Sequence, residues 1–408
     1  MSKEKGNPGV KVLIAGSILQ LFLGVIYVWS VFVMPVSNTF KWDTGAVKFT
    51  VNIMLCCFVI GILVAGKLQA KVKASYIVLA GGVMMAAGMF ATSFLSEAAP
   101  SWTIWLTYGI IGGLGVGLAY NTIISSAQKW FPKKRGLATG ISVFTFGFSS
   151  VIFAPLVEQW LKPEAFGLTL TLQILAGAFL LATLILFSFI KLPENTGSPA
   201  ANFGEKAQYT TSQMLKKVDF YLIFFSMMFL TAAFFIINPS LKMLAEMHGM
   251  GKDFGVTLVM IAGLSNSAGR LAIPLLGEKI GNRGAVLTIL LLTAIGTLSL
   301  CWLAGPMFVV AIAIIAFCYG GSSGVYPLVT ADHFGLKNIG ANYGAVMVGF
   351  MTSVLVFPYI VGQLTTSEGA VAADNTGKFI ALAGIAAIGA VVTFILILKA
   401  KKTKEVSK

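Results

Sequence analysis

A permanent cation at residue 270 interrupts Val256-Thr-Leu-Val-Met-Ile-Ala-Gly-Leu-Ser-Asn-Ser-Ala-Gly-Arg-Leu-Ala-Ile-Pro-Leu-Leu276, an otherwise apolar stretch of membrane length. A guanidinium offers a planar fork of N–H donors that matches a carboxylate through two parallel hydrogen bonds. At bilayer depth such a charge costs several kcal/mol unless it faces a protein interior or a wet cavity, and it usually marks a substrate or ion path. Asn266 lies one helical turn earlier on the same face and could hold either the guanidinium or a ligand. No Asp or Glu falls in the middle of an apolar stretch, so the sequence itself supplies no acid to meet Arg270, and an anionic ligand is expected. The alternative is that Arg270, late in its helix, snorkels to the membrane edge.

Hydroxyls and amides come next. Tyr27 and Tyr120 in the first half of the chain, and Tyr319 and Tyr326 in the second, could donate to a carboxylate, with Asn121 a further candidate. Aromatic packing or interface anchoring is the competing role for each tyrosine. His248 and His333 fall in expected loops, which leaves the apolar stretches without a histidine or acid to carry a proton. Cys56, Cys57, Cys301 and Cys318 have neither metal-ligand spacing nor a disulfide framework and read as small core residues. Without paired carboxylates, a nucleophile–base pair or a metal cluster in these stretches, neither an enzyme nor a cofactor is expected.

The elements that position these residues follow from composition. The chain has 408 residues, 57% of them hydrophobic and 11% charged. A soluble domain carries about 25% charged residues, so this is a polytopic membrane protein. About 20 apolar residues cross the hydrocarbon as a helix. Such stretches recur twelve times: 12–36, 47–68, 75–95, 103–127, 137–160, 168–190, 220–241, 256–276, 285–304, 307–330, 342–364 and 379–398. On one face of span 1, Gln20, Gly24, Tyr27 and Val31 recur at helical spacing, so that face should look inward. The net charge of +14 invites a nucleic-acid partner. The lysines and arginines instead collect on alternate loops, including Lys129-Trp-Phe-Pro-Lys-Lys-Arg135, as the positive-inside rule requires for cytoplasmic segments. An all-α protein of twelve spans with both termini cytoplasmic is predicted, multi-pass in a cell inner membrane, functional as a monomer and without a cleaved leader.

The one long polar segment, 191–218, contains Pro193, Gly197, Pro199 and Gly204 and reads as a cytoplasmic linker. It divides a six-span bundle over 1–190 from a second over 219–408, which ends in a basic tail. Gly112-Gly113 in span 4 is echoed by Gly320-Gly321 in span 10, and Trp130-Phe131 by His333-Phe334, as related halves would leave.

The segment after span 8, Pro274-Leu-Leu-Gly-Glu-Lys-Ile-Gly-Asn-Arg283, reads as a loop and resembles the major facilitator loop signature, with proline in the leading glycine position. Its first-half counterpart, Gly66 to Lys73, has Ala70 where the acid belongs. Gly24-Val-Ile-Tyr-Val-Trp-Ser30, Gly115-Val-Gly-Leu-Ala-Tyr-Asn121, Asn266-Ser-Ala-Gly-Arg270, Tyr319-Gly-Gly and Asn342-Tyr-Gly344 resemble the oxalate:formate antiporter family and the related monocarboxylate transporters. The resemblance covers nearly the whole chain. It implies the major facilitator fold, two six-helix bundles around a cavity for small carboxylates, alternating access, and ligand roles for Tyr27, Tyr120 and Tyr319.

Two departures narrow that expectation. Oxalate exchangers carry a lysine seven residues after the tyrosine of the span 11 Tyr-Gly pair, where this chain has Phe350. Proton–lactate carriers place an aspartate one turn before the arginine, where this chain has Asn266. One cation neutralises one carboxylate, and a dianion would leave a second charge facing low dielectric. The expectation is therefore a carrier of a monocarboxylate such as lactate, pyruvate or formate. Arg270 would bind the carboxylate, and Phe350 would form an apolar wall or simply pack. Proton symport is the coupling expected, with carboxylate exchange left open. An oxalate:formate-type exchanger and a transporter-like carboxylate sensor are the alternatives.

Overall fold

The structure, a computed structural model, describes residues 7–162, 164–193, 208–248, 250, 254–365 and 375–406. Most of the expected linker, 194–207, and the end of the basic tail lie outside the described residues. Every assigned element is helical, and twelve helices are long and apolar enough to span a bilayer. They are α1 (Pro8–Phe40), α2 (Thr44–Leu68), α3 (Ala74–Thr92), α4 (Trp105–Trp130), α5 (Arg135–Trp160), α6 (Gly167–Phe189), α7 (Val218–Ile237), α8 (Thr257–Ile280), α9 (Asn282–Ser299), α10 (Gly305–Phe334), α11 (Ile339–Val361) and α12 (Thr376–Ala400). Large apolar side chains such as Leu181, Ile295 and Val391 are at least 60% exposed, as an outer surface in contact with lipid tails requires.

Helix starts follow from local chemistry. The Asp43 carboxylate accepts from the Ala46 N–H at 2.8 Å and caps α2, while Asn7 caps α1 through the Gly9 N–H at 3.0 Å. Several buried threonines turn their hydroxyls back on the helix, as Thr297 does on the Thr293 carbonyl at 2.7 Å. Two expectations change. Pro274 and the residues after it do not leave the membrane helix, because α8 continues to Ile280 and turns only at Gly281, whose φ of +83° favours glycine. His333 is not in a loop but in the last turn of α10, which ends at Gly335 with φ +81°.

The chain forms two compact units. The first comprises residues 1–210 together with Phe334–Ala345, and the second comprises Thr211–His333 together with residues 346–408. Within the first, α2 packs on α4, α3 on α4 and α6, and α1 on α5. Within the second, α12 packs on both α7 and α9.

Each unit contains a crossing in which backbones touch through paired glycines four residues apart. In the first, a Cβ on Gly113 would lie 2.5 Å from the Met54 carbonyl oxygen, and one on Gly117 would collide with that of Phe58. In the second, a Cβ on Gly320 would collide with the Asn266 carbonyl oxygen, and one on Gly324 would lie 2.8 Å from that of Arg270. Small residues let membrane helices approach this closely, where dispersion and weak polar contacts replace the missing hydrophobic drive. The four-residue spacing of the glycines is the same in both.

Candidate functional site

Arg270 is fully enclosed, with 0% of its surface exposed. Among the described residues it is the one charged side chain so completely shielded from solvent. Its Nε donates to the Asn266 Oδ1 at 3.1 Å, the i to i−4 pairing that the sequence spacing allowed. A neutral acceptor fixes the plane of the guanidinium without cancelling its charge. The crossing onto α10 holds this face of α8 rigidly, since a Cβ on Gly269 would collide with the Phe317 carbonyl oxygen.

Around the same crossing the second unit gathers aromatic rings. Tyr319 of α10 lies flat on Phe234 of α7, centroids 3.9 Å apart and planes 4° from parallel. Phe235 meets Tyr319 edge-on at 5.4 Å and Phe350 of α11 at 5.1 Å. Phe350 is held there because α11 approaches α7 closely, a Cβ on Gly349 falling 2.6 Å from the Phe224 carbonyl oxygen. Tyr326 is fully buried, and its hydroxyl donates to the Ser226 Oγ at 3.1 Å, which ties α10 to α7.

In the first unit Tyr27 and Tyr120 meet through a ring the sequence did not single out. Phe146 of α5 lies 5.4 Å from Tyr27 and 4.8 Å from Tyr120, and Phe58 lies 5.1 Å from Tyr120. Tyr27 occupies a 3-10 stretch, Gly24–Val28, in the middle of α1. That tightening sits where Gly24 lies against the backbone of Phe146, leaving no room for a side chain. Asn121 is placed differently. Its Nδ2 donates to the carbonyl oxygens of Ile62 and Gly340, each at 2.8 Å, so both amide hydrogens are committed.

The predicted residues thus fall into three sets. Arg270 pairs with Asn266, Tyr319 joins Phe350 through Phe235, and Tyr27 joins Tyr120 through Phe146. Phe146, Phe234 and Phe235 are the additions. Each stands in a phenylalanine-rich run, where sequence alone gives no signal to separate a ring in the site from one in contact with lipid.

Twelve apolar helices in two six-span repeats, with a buried guanidinium at a helix crossing, define a multi-pass membrane protein of transporter architecture. Residues 14–358 match the family model of the Major Facilitator Superfamily, and the chain belongs to that superfamily. It is accordingly a transporter and not an enzyme. The uncharacterized MFS-type transporter YhjX of Escherichia coli is 28% identical over 346 residues, 83% of this chain and 84% of its own length. The oxalate:formate antiporter of Oxalobacter formigenes is 24% identical over 350 residues, 83% of this chain and 80% of its own. Monocarboxylate transporter 13 of Rattus norvegicus is 26% identical over 306 residues, 74% and 69% respectively. The fold matches that of the proton:xylose symporter XylE, with a TM-score of 0.71 at 14% identity over 95% of both chains. It also matches that of FucP, with a TM-score of 0.69 at 14% identity over 95% of this chain and 98% of that one.

Proposed function

We propose that the protein is a secondary carrier of small monocarboxylates of the lactate, pyruvate or formate type, working by alternating access with a co-transported proton. Arg270 is the residue that binds the carboxylate. The observation that carries this reading is the fully enclosed guanidinium, whose Nε donates to the neutral Asn266 amide. Relatives named for oxalate and formate exchange and for monocarboxylate transport support a carboxylate cargo. A single cation favours one carboxylate, because the second charge of a dianion would be left in low dielectric at a cost of several kcal/mol. Phe350, 6% exposed, offers apolar area suited to a methyl or short alkyl group. Tyr27, Tyr120, Tyr319 and Tyr326 are proposed to supply hydroxyl donors. Residues 1–190 and 219–408 are the proposed six-helix domains, in an inner membrane with both termini cytoplasmic.

The test is uptake of labelled lactate, pyruvate and formate by proteoliposomes, with internal pH recorded. Uptake should acidify the lumen, be abolished in Arg270→Ala and fall about 100-fold in Arg270→Lys, which keeps the charge but loses the fork. Unchanged uptake in Arg270→Ala overturns the assignment. The oxalate:formate exchanger is the second reading, favoured by the Oxalobacter relative. Oxalate outcompeting lactate in the wild-type protein would establish it, and saturable binding without uptake would point to a sensor.

A further inference from the structure

In a helix the side chain leans toward the N-terminal turn, and the bond from the Arg270 Nε to the Asn266 Oδ1 sets the guanidinium near the level of Asn266. Gly320 of α10 stands at that level too, since a Cβ there would lie 2.7 Å from the Asn266 Oδ1. Ala262 precedes Asn266 by one turn on the same face of α8, and Ala316 precedes Gly320 by one turn on α10. Both alanines are buried.

These two alanines, together with Phe234, Ile312 and Ile315, line a cavity of about 10 Å³ inside the second unit. Its one polar lining residue is Asn238, exposed just past the end of α7. Phe234 is also the ring that lies flat on Tyr319, so the cavity and the aromatic group beside Arg270 share a wall. A space this small is close to the least that holds one water, and water there would find too few polar partners. A methyl group needs none.

We propose that this cavity is the subsite for the terminal methyl group of a linear monocarboxylate held at its other end by Arg270, which makes chain length the basis of selection. One helical turn separates the Asn266 level from Ala262, a rise of about 5.4 Å. An extended chain of about five carbons, with C–C bonds of about 1.5 Å in a zigzag, spans that distance. Pyruvate is too short to reach it. Protein interiors are close-packed, and here two facing alanines leave the space that a leucine at either position would fill. Its size admits one methyl group, which favours an unbranched chain end. The inference rests on Arg270 as the carboxylate-binding residue.

The test is uptake of labelled pyruvate, α-ketobutyrate, α-ketovalerate and α-ketocaproate by the full-length protein in proteoliposomes. KM should fall about fourfold with each added methylene up to α-ketovalerate, the worth of burying one such group, and fall no further at α-ketocaproate. Ala316→Leu fills the cavity, and the ratio of the α-ketovalerate KM to the pyruvate KM should rise about tenfold. Ile312→Ala enlarges it, and should move the lowest KM from α-ketovalerate to α-ketocaproate. That second variant acts in the opposite direction and decides the matter if Ala316→Leu does not fold. A wild-type KM that is flat across the series, or a KM ratio unmoved in both variants, overturns the subsite. If that flat profile is accompanied by loss of all uptake in Arg270→Ala, the subsite alone falls. Uptake that persists in Arg270→Ala overturns the carboxylate reading and the subsite with it.

Discussion

Arg270 and Asn266 show how one side chain orients another without neutralising it. The bond from Nε to Oδ1 helps fix the guanidinium plane, so removing it should loosen the site without emptying it. Asn266→Leu is expected to raise the KM for the proposed monocarboxylate cargo about tenfold, the worth of one hydrogen bond to a charged group, while transport persists. Equal KM values would show that the crossing alone orients Arg270. Phe350 gives the complementary prediction. Phe350→Lys supplies a second cation beside Phe235, and oxalate should then compete with labelled lactate at least about tenfold better than in the wild type. The i, i+4 spacing made the Arg270–Asn266 pair legible in the sequence. The commitment of Asn121 was not legible, because its second acceptor, Gly340, lies 219 residues away and is a backbone atom.

Helices in this chain are specified by hydropathy and positioned by glycines. The spans read from the sequence coincide with the twelve helices to within a few residues at most ends, because a bilayer-length apolar run has no other way to satisfy its backbone. The ends of α8 and α10 were misjudged for a local reason. Glu278, Lys279 and His333 signal water, yet a helix continues past the apolar zone until a glycine such as Gly281 or Gly335 turns it. Close approach, in contrast, cannot be read from a glycine count. A Cβ at Gly24 or Gly320 would collide with a backbone oxygen, while at Gly177 or Gly384 it would meet nothing within 4 Å. Gly24→Ala and Gly320→Ala should therefore cost about 2 kcal/mol or more. Gly177→Ala and Gly384→Ala should be neutral or stabilising by up to about 1 kcal/mol. Thermal unfolding of the purified variants separates the pairs, and equal shifts would refute the crossing as the structural determinant.

At the scale of the molecule, charge and pH make further predictions. The 29 Lys and Arg residues lie mainly on loops assigned to the cytoplasm, and an even number of spans returns the chain to its starting side. Reporter fusions at either terminus should both report the cytoplasm, and opposite signals would require an odd number of crossings. His248, outside the spans, stacks on Phe308 with centroids 3.8 Å apart, and burial lowers its pKa below the ordinary 6.5. The unfolded chain then binds the proton more readily than the folded one. Stability should fall as pH drops through 6.5 toward the folded-state pKa and level off below it. His248→Phe should remove that component from a melting series between about pH 8 and pH 5.

The matched crossings also bear on ancestry. If the two repeats descend from one duplicated six-span ancestor, residues 62 and 270 began as copies of a single position, each preceded by a glycine that lies against a carbonyl oxygen of the facing helix. Today one copy carries a buried isoleucine and the other a buried cation. Charge was thus gained or lost in one repeat alone while the backbone seat beneath it stayed unchanged, so the polarity of that position could evolve separately from the fold that holds it.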